Sequence, residues 1–271
     1  MTPKTSSYGE YLKVAELLGL QRRLSDPPQH DEMLFIVIHQ VFELWFREMI
    51  HEIEEIRSVL AAGGVRRATR LYRRLIEIQR VLLQQISVLE TMTPTDFNTF
   101  RDLLNPASGF QSWQFRELEF LSGMKDPAYL NLVRLDPVAR ERLERRLAEP
   151  SLADAFDLLL AARGFAMPAK GAGTGPAGLV SARLAALKTI YDHHDQHDDL
   201  YQLCEVMIEY DENFQLWRYH HIRMVERMIG RKPGTGGSEG VGYLAKTLDK
   251  RCFPELWEVR TLLSGSGEYG G

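Results

Sequence analysis

The sequence predicts an all-α protein: a helical bundle in one domain spanning 1–271, with a mobile loop rich in Gly, Pro and Ala. Three observations point to the fold class. Of 21 glycines, five lie in 164–178, six in 230–242 and four in 265–271, which leaves six for the rest of the chain. The glycine-poor stretches are rich in Leu, Glu, Arg, Ile and Gln, residues that lose little freedom in a helix. No segment alternates strictly between apolar and polar residues, so no strand is expected.

The elements follow in order. A short helix covers about 8–18 and a long one about 31–61, stopped by Gly63-Gly64. The next runs over about 65–91 and stops before Pro94. A short helix capped by Thr95-Asp96 ends before Asn105-Pro106, and another covers about 108–122. Two or three short helices fill 126–163, and 164–178 is the loop. Helices at about 179–191 and 198–229 precede the glycine-rich 230–242, and a last helix covers about 243–263. No repeat of 20–50 residues is present.

Composition excludes several classes. With 33 Lys and Arg against 37 Asp and Glu the chain carries a net charge of −4. Nucleic acid and anionic lipid both favour a basic excess, so neither is an expected partner. The most apolar stretch, Met33 to Ile50, is interrupted by His39, Gln40, Glu43, Arg47 and Glu48, so no membrane span is expected. Two cysteines, Cys204 and Cys252, form neither a CxxC nor a disulfide framework, and the N-terminus shows no signal peptide. A cytoplasmic location is the simple expectation.

Five groups of residues could carry chemistry. Phe35, His39, Phe42 and Phe46 form one helical stripe, so His39 sits in a wall of aromatic rings. It is either a core histidine or a group lining a pocket for an aromatic molecule. In the helix 198–229, His221 shares a face with Phe214, Trp217, Val225 and Met228, whereas His220 points toward Arg223 and Arg227. A buried neutral imidazole is what an axial haem ligand requires; a satisfied core histidine is the alternative. Phe97 and Arg101, four apart, suit a carboxylate attached to an aromatic group, unless Arg101 only covers apolar surface. GTGGSEG at 234–240 lacks the Lys of a phosphate loop but offers Thr235 and backbone N–H groups that can close over a ligand. DHHDQHDD at 192–199 spaces His193 and His197 like metal ligands, yet reads better as a solvated turn. A di-metal carboxylate bundle needs two inward Glu-x-x-His pairs, and only Glu48 and His51 match.

Long co-linear blocks then supply a resemblance. YGEYLKVAELLGLQ at 8–21, HDEMLFIVIHQVFELWFREMIHEI at 30–53, ETMTPTDFNTFRDLLNPASGFQSWQFRELE at 90–119, DENFQLWRYHHIRMVERMIG at 211–230 and GTGGSEGVGYL at 234–244 resemble the tryptophan 2,3-dioxygenase family. Only about 124–190 is weakly characteristic. The resemblance implies an all-helical homotetramer with one haem b per subunit, ferrous when active. Such an enzyme adds both atoms of O2 across the indole C2–C3 bond of L-tryptophan, giving N-formyl-L-kynurenine, the first step of the kynurenine pathway.

It also implies roles. His221 would be the proximal iron ligand. His39 would be the catalytic histidine on the distal side, a hydrogen-bond donor that positions the indole rather than a base. Phe35, Ile36, Val37, Ile38 and His39 would form the segment against the indole. Arg101 would hold the substrate carboxylate beside Phe97, a position where bacterial members often have tyrosine. Thr235 would contact the carboxylate or ammonium end. Ser108 and Gly109 would touch the haem. Tyr8, Tyr11 and Leu12, in an N-terminal segment 1–20, would reach a neighbouring subunit's site. A non-catalytic haem-binding or gas-sensing bundle is the alternative; it has no use for a carboxylate clamp.

Overall fold

The computed structural model describes residues 7–132, 136–168, 176–230, 232, 234 and 247–263. Every regular element among them is helical. Among the described residues twelve α-helices run in order: α1 Tyr8–Leu12, α2 Val14–Leu18, α3 His30–Ala61, α4 Val65–Leu89, α5 Pro94–Asn98, α6 Trp113–Ser122, α7 Tyr129–Leu132, α8 Pro137–Ala148, α9 Leu152–Ala162, α10 Pro176–Asp192, α11 Asp198–Ile229 and α12 Pro254–Leu262. Two 3-10 turns, Arg101–Leu104 and Gly109–Gln111, lie between α5 and α6.

The three long helices make the frame. α3 and α4 form an antiparallel hairpin, and α11 packs along α4. The hairpin turns where predicted. Gly63 adopts φ +78°, and a Cβ at Gly64 would lie 2.8 Å from Val59 Cγ1, so both positions demand glycine. One apolar face of α4 (Ala68, Leu71, Tyr72, Leu75, Ile78, Leu82, Ile86) is buried against its neighbours. At the centre Tyr72 and Tyr210 meet edge to face with ring centroids 5.7 Å apart. α6 and α9 close the other side of α3, and α10 with α12 covers the lower end of α11.

Four expected boundaries are corrected. The 8–18 segment is two helices, because Lys13 at φ +55° breaks it. The helix expected at Thr95-Asp96 is capped by Thr93, whose hydroxyl accepts from the Asp96 N–H at 3.1 Å, with Pro94 at its first position. It ends at Asn98, so Arg101 opens a 3-10 turn instead. The segment 108–122 likewise divides, because Ser112 starts a new cap by accepting from the Phe115 N–H at 3.2 Å. Of the last helix, residues 254–262 are helical, whereas 247–249 form a turn.

Buried polar groups tie the frame. The Asp211 carboxylate accepts from the Cys252 and Phe253 N–H groups at 2.9 and 3.1 Å and from Trp257 Nε1 at 3.0 Å, which pins the C-terminal segment to α11. Both cysteines are free and buried. Among the described residues no helix is long and apolar enough to cross a membrane, and no cluster of His, Cys, Asp or Glu could hold a metal ion. Of the pair His193 and His197, His193 lies in an exposed turn, whereas His197 is half-buried with its ring centroid 5.4 Å from that of Phe165.

Candidate active site

A cavity of about 480 Å³ opens between α3, α11, the end of α4 and the segment 97–119. Its walls are mostly aromatic and aliphatic: Phe42, Phe46, Ile86, Leu89, Phe115 and Met228 are among them. Both histidines singled out from the helical wheels face it, one from each long helix. Phe35, Phe97, Arg101, Ser108 and Gly109 line it as well.

His39 is anchored within its own helix. Its Nδ1 lies 2.7 Å from the Phe35 carbonyl. A carbonyl only accepts, so Nδ1 carries the proton and Nε2 is left with a lone pair. The donor role expected for His39 is therefore corrected: its free nitrogen is an acceptor, suited to an N–H on a bound molecule. Burial pushes the imidazole below its ordinary pKa, against the opposing effects of the Phe35 carbonyl and Glu43, so the ring is neutral near pH 7. Phe35 lies against it with centroids 4.1 Å apart, and Phe97 stacks on Phe35 at 5.7 Å. These rings form one apolar patch of the cavity wall, which Arg101 also lines, and Asp102 approaches the Arg101 guanidinium at 3.8 Å.

His221 stands on the other wall. Its ring stacks on Trp217 with centroids 5.1 Å apart and planes 6° apart. Trp217 in turn packs on Phe115 at 4.9 Å and edge-on to Phe42 and Phe46. Burial, with His39 a smaller contribution, pushes the His221 pKa down to about 4. A neutral imidazole in an apolar cavity has the donor chemistry that haem iron accepts. Gly109 adds room on the facing wall, since a Cβ there would meet no protein atom within 4 Å. The residues present therefore fit a haem. His220 is exposed and edge-on to Tyr219, as the wheel predicts.

Some expected site residues are not brought to the cavity. Val37 is exposed and Ile38 belongs to the core, because their positions on α3 rotate them away from the Phe35–His39 stripe. Ile36 is half-buried and does not line the cavity. Tyr8 and Tyr11 are 79% and 77% exposed, and Leu12 is exposed too. Thr235 lies outside the described residues. The sequence reading missed Arg116, Glu119 and Arg218, which all line the cavity. The available signal was charge embedded in aromatic runs, QFRELEF and FQLWRY.

Comparison with known proteins agrees with this geometry. The family described as tryptophan 2,3-dioxygenase matches residues 2–162 and 176–263. The chain belongs to the tryptophan 2,3-dioxygenase family. Among its relatives are the tryptophan 2,3-dioxygenases of Herpetosiphon aurantiacus, 47% identical over 94% of this chain and 97% of that protein, and of Nocardioides sp., 47% identical over 95% and 94%. That of Caulobacter vibrioides is 43% identical over 95% of this chain and 98% of its own. The family blocks 30–53, 90–119 and 211–230 supply most of the residues that line the cavity, with Ile86 and Leu89 of α4 beside them.

Proposed function

We propose that the protein is a haem-dependent dioxygenase that inserts both atoms of O2 into the indole C2–C3 bond of L-tryptophan and releases N-formyl-L-kynurenine. The carrying observation is that His39, His221 and Arg101, from three separate segments, face one apolar cavity. A gas sensor of the same architecture needs the histidines but not the arginine, so the catalytic reading is favoured.

His221 would hold the haem as its iron ligand, and Ser108 and Gly109 would contact it. When bound, the haem supplies the O2 chemistry. The protein does the rest. Phe35 and Phe97, stacked on each other, offer apolar ring surface to a planar indole in the cavity. The lone pair on His39 Nε2 accepts a hydrogen bond from the indole N–H and fixes the orientation of the ring in the cavity. Arg101 takes the amino-acid carboxylate, and Thr235 contacts its carboxylate or ammonium end. Discrimination against phenylalanine rests on the His39 lone pair, because a buried acceptor left without a donor is far costlier than a missing methylene. His39 positions rather than deprotonates, since an indole N–H is much less acidic than an imidazolium.

The active form is a homotetramer in the cytoplasm. Tyr8, Tyr11 and Leu12 expose their apolar bodies to solvent in the single chain, which suits burial against a neighbouring subunit's site. The test is direct. Purified protein should show a Soret band that shifts on adding L-tryptophan, and isotopically labelled O2 should deliver both atoms to the product. A protein that binds haem but shows no tryptophan-dependent O2 uptake would favour the sensor.

A further inference from the structure

The chain leaves the cavity wall after α11 and returns to it thirteen residues later. Gly234 and Thr247 both line the cavity. Residues 235–246, which join them, lie outside the described residues. Thr235, the contact proposed for the polar end of the substrate, is bonded to Gly234. The upstream end of this stretch is fixed by α11 itself, which ends at Ile229. The downstream end is held by one buried side chain of α11, Arg218.

Arg218 Nη2 donates to Glu119 Oε1 on α6 at 2.7 Å, and lies 3.2 Å from Met124 Sδ. Glu119 Oε2 accepts from Arg116 Nη1, so the carboxylate is itself held from two sides. The Arg218 guanidinium also covers the Phe214 ring at 4.7 Å. A guanidinium presents its donors in a rigid plane. With Nη2 fixed by α6, Nη1 has a set direction, and it donates to the Lys250 carbonyl at 3.0 Å and the Thr247 carbonyl at 3.5 Å. Two turns earlier on α11, Asp211 takes the Cys252 and Phe253 N–H groups. The helix thus grips 247–253 by its carbonyls with a cation and by its N–H groups with an anion. The two grips differ in place. Arg218 and Thr247 line the cavity, whereas Asp211 does not. Asp211 already anchors the segment to the frame. A second buried charge is costly, and one placed at the cavity wall points to a role in the site.

We propose that Arg218 is a positioning residue for the amino-acid end of the substrate. By holding the Thr247 and Lys250 carbonyls at the cavity wall, it fixes the downstream end of the chain that carries Thr235. Glu119 sets the direction of the guanidinium. This rests on the reading that the cavity takes L-tryptophan with its polar end at Arg101 and Thr235. Arg218 acts through the backbone it holds, because both of its Nη atoms are engaged by protein acceptors. The groups that receive the indole, Phe35, His39 and Phe97, stand on α3 and α5, outside the segment that Arg218 holds. Loss of Arg218 therefore acts on one end of the substrate and spares the other.

The test titrates haem-loaded protein with L-tryptophan and with 3-methylindole, which keeps the indole N–H and lacks the amino-acid end, and follows the Soret band. Arg218→Met should weaken L-tryptophan about tenfold or more, the scale of a binding group displaced by about 1 Å. Its affinity for 3-methylindole should stay within about twofold of wild type, and its haem content per chain should equal wild type. Backbone amides of 248–251 should exchange hydrogen faster in the variant. Arg218→Lys keeps the charge without the fork and should fall between the two. Equal weakening of both ligands means general damage to the pocket and overturns the proposal. Unchanged L-tryptophan affinity alongside faster exchange overturns it too, and loss of haem would assign Arg218 to the cofactor instead. If Arg218→Met does not fold, the same comparison on Arg218→Lys decides. A wild-type protein that binds neither ligand refutes the substrate reading itself, which equal weakening in the variant does not.

Discussion

The imidazole of His221 lies flat on the indole of Trp217, ring planes 6° apart and centroids 5.1 Å apart, four residues earlier on the same helix. The stack sets the imidazole plane, and Trp217 is wedged in turn by Phe42, Phe46 and Phe115. A ligand ring whose orientation is locked by packing presents one nitrogen in one direction, which is what a single axial bond requires.

His221→Ala should leave a folded protein with little bound haem and no turnover. His220→Ala should keep its haem, because that ring is exposed on the far side of α11. Haem content per chain, read from the Soret absorbance against protein concentration, decides. The opposite pattern would reverse the ligand assignment.

Arg101→Ala should raise KM for tryptophan by orders of magnitude, since removing one partner of a buried charge pair costs about 2–5 kcal/mol. Haem retention should be unaffected. An unchanged KM would take Arg101 out of the substrate site.

His39→Ala should retain reduced but measurable turnover, and its roomier pocket should accept 1-methyltryptophan relatively better than wild type does. Equal relative rates for the two substrates in both proteins would sink the positioning role. The pH dependence follows with a definite sign. The His39 pKa is depressed in the folded protein, so kcat/KM should stay flat as pH falls through about 6.5, the ordinary histidine value. It should fall only at lower pH, when Nε2 becomes protonated and the acceptor is lost. The unfolded chain binds that proton first, so stability should also decline as pH drops below about 6.5. A kcat/KM profile with its acid limb centred at or above the ordinary value would contradict this environment for His39.

Deleting residues 1–20 should lower activity sharply and loosen the oligomer while each chain still binds haem. The two short helices bury none of their side chains in the single chain, and Lys13 breaks the single helix expected over 8–18. The segment is tethered at its end, where Gln21 Nε2 donates to Gln40 Oε1 at 2.5 Å. Sedimentation and turnover measured on the truncated protein decide. A crystal structure with Tyr8 and Tyr11 against their own chain's α3 would refute the shared site.

Asp211→Ala should destabilise the fold by about 3 kcal/mol or more, because it strands two backbone N–H groups and the Trp257 indole N–H, each a buried donor worth about 1–3 kcal/mol when unpaired. Denaturant midpoints for the variant and wild type give the difference. A shift under 1 kcal/mol would show that the C-terminal segment is held by apolar packing alone.

The helices, the Gly63-Gly64 turn and the inward face of each long helix were all legible in the sequence, because a repeat of 3.6 residues fixes which side chains share a stripe. That is why Phe35, His39, Phe42 and Phe46 could be grouped, and why His221 could be told from His220. Spacing from Phe97 picked out Arg101 and the family resemblance named Ser108 and Gly109, and the two 3-10 turns with their caps bring all three to the cavity. Local periodicity carries no information about which stripe meets which. Only the packing of α6 against α3 and α11 decided that Arg116, Glu119 and Arg218, 102 residues apart at the extremes, form one charged cluster at the cavity wall. Only the approach of Nδ1 to the Phe35 carbonyl decided that His39 accepts a hydrogen bond. Both depend on distances between atoms set by the closed bundle, and a helical wheel gives direction without distance.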